Sequence, residues 1–268
     1  MIIGTLGPEG SYTEKAAKKW DNGAKLRYYD DILDTVEALM RDEVDMSVVP
    51  IENSLEGSIT LTLDLLMEYQ LKIVGEIVIQ INHCLLSKGR PDEIKIIISH
   101  PQALSQCRKY ITKNFRNAEI RPTLSTSIAA KQVAELSGVA AIASRESAVR
   151  YGLDILDENI QDTSENYTRF IVIGKTVSHA TGNDKTSVII YLEKNMPGAL
   201  YEILGEFAIR KIDLTKIESR PTKRNLGDYL FYIDMKGHLE NAIVKDAIEK
   251  VRSKVGMLKI LGSYPAAK

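Results

Sequence analysis

Over the first 177 positions, short apolar runs rich in β-branched residues alternate with stretches whose apolar positions recur every three or four residues. The runs predict strands over Ile2–Leu6, Lys25–Tyr29, Met46–Val49, Ile73–Ile81, His83–Leu86, Ile94–Ile98, Val139–Ile142 and Arg169–Ile173. The helical spacing predicts helices over Tyr12–Trp20, Ile32–Arg41, Leu61–Tyr69, Pro101–Asn114, Ile128–Leu136 and Arg145–Tyr151. Continuously apolar strands alternating with helices imply sheets covered on both faces, so the fold class is α/β with mainly parallel sheets. Residues 73–86 have nearly unbroken strand character, and a hinge between two α/β lobes is expected there. The strand around Thr168 is expected to return the chain to the first lobe, giving a second hinge strand near 158–168.

The pattern changes after Ser178–Asp184, a polar stretch without periodic apolar residues that reads as a linker. Beyond it come a strand over Ser187–Leu192, a helix over Gly198–Ile209 and strands over Asp213–Glu218 and Asp228–Met235. A helix over Glu240–Lys254 and a strand over Met257–Gly262 complete the series. The order βαββαβ is the split, ferredoxin-like unit. The expected division is a two-lobed region over 1–177, a linker over 178–184 and a small domain over 185–268.

Composition narrows the function classes. The 268 residues carry a net charge of -1, with 44% hydrophobic and 26% charged residues and no long block of like charge. This is ordinary globular composition without a nucleic-acid tail or a polybasic membrane patch. The opening residues lack a basic start and a long apolar run, so a cytoplasmic protein is expected. Cys84 and Cys107 have no metal-ligand spacing, and none of His83, His100, His179 and His238 pairs with another at such spacing. There is no P-loop, no Gly-x-Gly-x-x-Gly opening a helix and no Gly-x-Ser-x-Gly turn. Chemistry without a metal or other cofactor is expected.

Short polar loops follow several strands and open helices: Gly7–Thr13, Pro50–Gly57, Ser99–Gln102, Ser125–Ser127 and Ser144–Arg145. In open α/β sheets ligands bind beyond the carboxyl ends of strands, where helix N-termini offer free N–H groups and partial positive charge. Singly, Ser11, Ser99 and Ser125 read as helix caps. Together, on two lobes, the loops favour a small anionic ligand, which would suit an enzyme or a non-catalytic binding protein alike.

The same loops resemble the signature stretches of prephenate dehydratases: Gly7-Pro8-Glu9-Gly10-Ser11-Tyr12-Thr13, Pro50-Ile51-Glu52-Asn53-Ser54, Ser99-His100-Pro101-Gln102-Ala103-Leu104, Ser125-Thr126-Ser127-Ile128-Ala129-Ala130 and Asn166-Tyr167-Thr168-Arg169-Phe170. Asn195-Met196-Pro197-Gly198-Ala199-Leu200 and Glu218-Ser219-Arg220-Pro221 resemble an ACT domain. The resemblance implies a two-lobed catalytic region like periplasmic binding proteins, followed by a ferredoxin-like ACT regulatory domain. It implies conversion of prephenate to phenylpyruvate, carbon dioxide and water, with L-phenylalanine as allosteric effector and a homodimer or homotetramer as the assembly. Position 11 is Ser where threonine is common, and Tyr201 stands where valine usually continues the Gly-Ala-Leu motif.

By the same resemblance Thr168 is the catalytic residue. Ser11, Tyr12, Asn53, Ser54, Ser125, Thr126, Ser127, Arg169 and Phe170 would bind substrate. Asn195, Pro197, Gly198, Ala199, Leu200 and Ser219 would bind the effector, with Ser219 supplied by a neighbouring subunit. Aromatisation drives the reaction, so the departing hydroxyl needs only a hydrogen-bond donor, for which a Thr hydroxyl suffices. The ring carboxylate must leave, so a firm ion pair to it would slow the reaction. Arg169 or the helix start at Ser125–Ser127 is therefore expected to hold the retained carboxylate. Glu52 reads as structural, and His100 as a cap-region side chain or a site residue. Arogenate, with an ammonium in place of the keto oxygen, is the alternative substrate. A non-catalytic, amino-acid-responsive binding protein is the alternative from another class.

Overall fold

In the computed structural model, residues 1–192, 196–223 and 227–267 are described. Asn195, expected to touch the effector, lies outside them. The chain divides into two compact units, residues 1–59 with 78–170 and residues 60–77 with 171–268.

Two sheets are built from residues 2–174. The chain runs through β1 (Ile2–Leu6), α1 (Tyr12–Trp20), β2 (Lys25–Tyr29), α2 (Ile32–Met40), β3 (Met46–Asn53), β4 (Gly57–Ser58), α3 (Thr60–Glu68) and β5 (Lys72–Gln80). It continues through β6 (Cys84–Ser87), β7 (Ile96–Ser99), α4 (Pro101–Gln106), α5 (Arg108–Asn114), β8 (Glu119–Pro122), α6 (Thr126–Val133), β9 (Val139–Ala143), α7 (Arg145–Tyr151), β10 (Asp154–Asp157) and β11 (Tyr167–Gly174). The first sheet has the order β2-β1-β3-β11-β5, with β4 paired to the end of β3, and the second has the order β10-β6-β9-β7-β8. Strand β1 is parallel to β2 and β3; β7 is parallel to β8 and β9. Residues 81–83 carry the chain from the first sheet to the second, and residues 158–166 carry it back.

Strand periodicity explains the double cover of the second sheet. Leu85, Ile97, Ala140 and Ile142 pack with Ala103, Cys107 and Ile111 of the α4–α5 segment. Their neighbours Cys84, Leu86, Ile98, Ala141 and Ala143 pack with Ala129, Ala130 and Val133 of α6 and Ala148 of α7. Successive side chains point to opposite faces, so each strand feeds two cores. The helix expected over Pro101–Asn114 is two helices with a break at Cys107 (φ -113°, ψ 18°).

The second unit holds β12 (Asp184–Tyr191), α8 (Ala199–Ala208), β13 (Leu214–Pro221), β14 (Tyr229–Lys236), α9 (Ala242–Arg252) and β15 (Met257–Pro265). Its sheet has the order β13-β14-β12-β15. Val188, Ile190, Ile233 and Met235 pack with Ile203 and Phe207 of α8 and Val244, Ala247, Ile248 and Val251 of α9. Strand β12 begins inside the stretch that reads as linker, because the Asp184 carboxylate turns Thr181 and Gly182 into it by accepting both backbone N–H groups at 2.9 Å. The unit also contains α3 and the first part of β5, which the sequence assigns to the first region. Gly262 makes this fit possible: a Cβ there would lie 2.2 Å from the Ile73 carbonyl oxygen.

Candidate functional site

A cavity of about 300 Å³ opens between the two sheets of the first unit. From the first sheet come Tyr12 and Thr13 at the start of α1, Pro50 and Asn53 on β3, Ile59, and Thr168 and Phe170 on β11. The second lobe contributes His100, Gln102, Ala103 and Gln106 around α4, and Leu124, Ser125 and Thr126 at the start of α6. Ile81, His83 and Asn166, on the crossing segments, complete the wall.

The polar groups form a chain whose direction can be read from one end. Asn53 Oδ1 accepts the backbone N–H groups of Leu55 at 2.9 Å and Glu56 at 3.1 Å, which fixes its amide orientation. Its Nδ2 therefore faces inward and donates to Asn166 Oδ1 at 2.7 Å, Thr168 Oγ1 at 2.9 Å and Tyr167 O at 3.2 Å. Asn166 Nδ2 in turn donates to Gln106 Oε1 at 2.9 Å. The same oxygen lies 3.0 Å from His83 Nε2, so that nitrogen carries the proton. Thr168 receives a hydrogen bond from Asn53, and among the described residues no acceptor takes its own proton. The hydroxyl is thus left to donate into the cavity.

Among the described residues, no Lys, Arg, Asp or Glu lines the cavity. Burial holds His83 below the usual histidine range, against the opposing hydrogen bond to Gln106. Burial also lowers His100, against the attraction of Glu56. Burial, with the Glu146 charge adding to it, raises the Tyr12 phenol. Its hydroxyl donates to Asn82 O, holding α1 against the crossing segment. The wall is formally neutral, and its polarity comes from hydroxyls, amides and the helix starts of α1 and α6.

Of the residues expected to bind substrate, Tyr12, Asn53, Ser125, Thr126 and Phe170 line this cavity, as does Thr168. Arg169 does not. Alternate residues of β11 face opposite ways, so Thr168 and Phe170 face the cavity while Arg169, 7% exposed, turns to Glu52. Its Nε and Nη2 each lie 3.2 Å from a Glu52 oxygen. Ser54 braces β11, donating to Glu165 O at 3.1 Å and accepting from Tyr167 N at 2.9 Å. Ser127 is buried and lies 3.4 Å from the Ser147 hydroxyl. Ser11 caps α1, accepting from Glu14 N at 3.1 Å, and borders a separate cavity of about 550 Å³ whose wall includes Lys15, Lys18, Arg145 and Arg150.

His83, Gln106 and Asn166 were absent from the expected binding set. Gln102 and Gln106 are four apart on one face of α4, a spacing that marks a shared polar face. His83 follows Asn82 as part of a short polar break before the apolar run Cys84–Leu86, and its partner lies 23 positions away.

In the C-terminal sheet domain, a cavity of about 320 Å³ is lined by residues including Met196, Pro197, Ala199, Glu202 and Ile203. Gly198, in the left-handed conformation with φ 88°, precedes α8, and Leu200 packs on the core. Tyr201 is 79% exposed. Ser219 is exposed on the edge strand β13, away from this cavity's wall.

Residues 3–178, more than half of the chain, match the prephenate dehydratase family model, and residues 186–253 match the ACT domain model. The chain belongs to the prephenate dehydratase family. It is 45% identical to the prephenate dehydratase of Methanocaldococcus jannaschii over 98% of this chain and 97% of that one. Among solved structures, a prephenate dehydratase from Arthrobacter aurescens in complex with L-Phe superposes with a TM-score of 0.91 at 35% identity, covering 99% of this chain and 90% of that one. A structure described as GqqA, a novel type of quorum quenching acylase, superposes with a TM-score of 0.90 at 29% identity, covering 99% and 98%. Prephenate dehydratase membership agrees with a two-lobed α/β region joined to a ferredoxin-like domain. No helix among the described residues is long and apolar enough to cross a membrane.

Proposed function

We propose that this chain is a cytoplasmic prephenate dehydratase that converts prephenate to phenylpyruvate, carbon dioxide and water, with Thr168 as the catalytic donor. The observation that supports this reading is the one-way chain from Asn53 to Thr168, which leaves the Thr168 proton for the cavity. As the ring carboxylate departs, the electrons of its C–C bond enter the ring. The C–O bond to the hydroxyl breaks, and the leaving oxygen takes a proton to become water. Negative charge builds on that oxygen, and a positioned O–H stabilises the transition state more than the ground state.

The neutral wall suits a dianion whose two carboxylates have opposite requirements. The retained carboxylate is assigned to the start of α6 at Ser125 and Thr126, where backbone N–H groups and the helix dipole stand in for a cation. The leaving carboxylate then meets no lysine or arginine among the described lining residues that would hold it in place. Arg169 acts through Glu52, orienting β11 beneath Thr168.

An acyl-transfer reading has less support. None of Thr13, Ser125, Thr126 and Thr168 is hydrogen-bonded to His83 or His100, whose rings instead meet Gln106 Oε1 and Gln102 N. A hydroxyl nucleophile needs such a base.

The C-terminal domain is assigned as a phenylalanine sensor. The effector's carboxylate would be met by N–H groups in the first turn of α8 beyond Ala199, whose own N–H donates to Met196 O at 3.0 Å. Ser219 from a second copy of the chain would complete the site, so a homodimer is the minimal assembly. Purified protein should release phenylpyruvate from prephenate and slow when phenylalanine is added, and Thr168→Ala should remove the turnover. Arogenate assayed in parallel tests the substrate: turnover equal to or above that of prephenate would overturn the assignment. No turnover of either would leave the binding-protein reading.

A further inference from the structure

Helix α3 carries no acidic residue in its first turn and no basic residue in its last. Its support comes instead from the C-terminal sheet, on the face opposite α8 and α9. Arg220 Nη2 reaches both Asp64 oxygens, at 3.0 and 3.3 Å, and Lys223 Nζ lies 2.7 Å from Oδ2. The Tyr232 hydroxyl donates to Leu63 O at 2.9 Å. Lys259 Nζ donates to Met67 O at 2.8 Å and Tyr69 O at 2.7 Å. Lys259 thus adds a charged donor where α3 ends, beside the Leu71 N–H that also meets Tyr69 O at 3.0 Å.

In the other direction, α3 follows a cavity-lining residue directly in the chain. Thr60, its first residue, follows Ile59, which lines the cavity. Ile59 N donates to Ile51 O at 2.8 Å, and β4 pairs Ser58 with Glu52 and Gly57 with Asn53. The segment leaving α3 therefore ends on the residue that orients Thr168. At the far end, Arg220 directly follows Ser219, the residue assigned to the effector. The Arg220 Nε is buried without a hydrogen-bond partner, so Asp64 does not saturate the guanidinium, and one donor remains for a second arrangement.

We propose that Asp64 is a positioning residue that couples effector to cavity: β13 grips α3 through Arg220 and Lys223, and α3 sets the 53–59 segment. Occupation of the effector site shifts Arg220, and α3 carries the shift along the chain to Asn53. This rests on the reading of the C-terminal domain as a phenylalanine sensor.

Asp64→Ala and Asp64→Glu separate coupling from binding. For Asp64→Ala, prephenate turnover without phenylalanine should stay within about threefold of wild type. The phenylalanine concentration for half inhibition should rise at least about tenfold, while calorimetric phenylalanine affinity changes less than about threefold. Asp64→Glu, which keeps the charge, should recover most of the inhibition. Lys223→Ala, at an exposed position, should give an intermediate shift without loss of fold. Wild-type inhibition in Asp64→Ala overturns the proposal, as does loss of phenylalanine binding in parallel with loss of inhibition. A wild-type protein without prephenate turnover, or one that turns over but ignores phenylalanine, instead refutes the underlying reading.

Discussion

Thr168→Val isolates the donor, because valine keeps the shape and β-branching of threonine and removes only the hydroxyl. In the folded protein the change deletes one of three acceptors for Asn53 Nδ2, and Asn166 Oδ1 and Tyr167 O remain at 2.7 and 3.2 Å. The stability cost should be about 1 kcal/mol or less, the net value of one hydrogen bond. In the transition state the loss is larger, since the donor meets an oxygen that is gaining charge inside a neutral cavity. Removing one such donor typically costs about 3–4 kcal/mol, or a factor of about 10²–10³ in kcat. Steady-state phenylpyruvate formation should show this fall in kcat with KM within about threefold, and thermal unfolding should show a small shift. Thr168→Ser should retain most of the rate. A valine variant with kcat within about threefold of wild type would refute the hydroxyl's role. A serine variant as slow as valine would refute it equally.

Three further outcomes follow from the same geometry. Asn53→Asp sets a carboxylate oxygen against Thr168 Oγ1 and Asn166 Oδ1, so Thr168 turns its proton to the aspartate. kcat should fall about as far as in Thr168→Val, and the double variant should be little worse, as expected of residues acting as one unit. Arg169→Lys keeps the charge but loses the two-point grip on Glu52. It should lower the melting temperature by a few degrees with KM within about threefold, whereas a large rise in KM alone would restore the substrate-clamp role. His83 is held below its ordinary range by burial, so between that lowered value and the unfolded value of about 6.5 the unfolded chain binds the extra proton and the folded chain does not. Stability should therefore fall as pH drops below about 6.5, and His83→Gln should flatten part of that slope in melting curves between about pH 5 and 8.

Apolar periodicity foretold the alternation of strands and helices and the βαββαβ tail because both are set by local spacing. It missed β8, whose Glu119–Pro122 residues are all exposed and leave no apolar signature. It also missed β10, an edge strand containing Asp154 and Asp157. The grouping of α3 with the C-terminal sheet was illegible for a different reason: its partners Arg220, Tyr232 and Lys259 lie more than 150 positions away. Within the site, motif reading reached Asn53, Ser125, Thr126 and Thr168 but did not separate the two faces of β11. Adjacent positions in a motif share a sequence signal, yet a strand sends them to opposite sides, and Arg169 went to Glu52. His83 and Gln106 escaped because their pairing is tertiary. Only the polar i, i+4 pair Gln102 and Gln106 left a trace in sequence.

The side chains of Asn53, Asn166 and Gln106 exchange hydrogen bonds through carboxamides, which neither gain nor lose protons in the ordinary pH range. The chain therefore transmits orientation and insulates against proton conduction. These three carboxamides carry no proton to Thr168. Under the proposed role of Thr168, a proton that replenishes its hydroxyl has to come by a route other than these side chains, and the cavity mouth is the one the proposal uses.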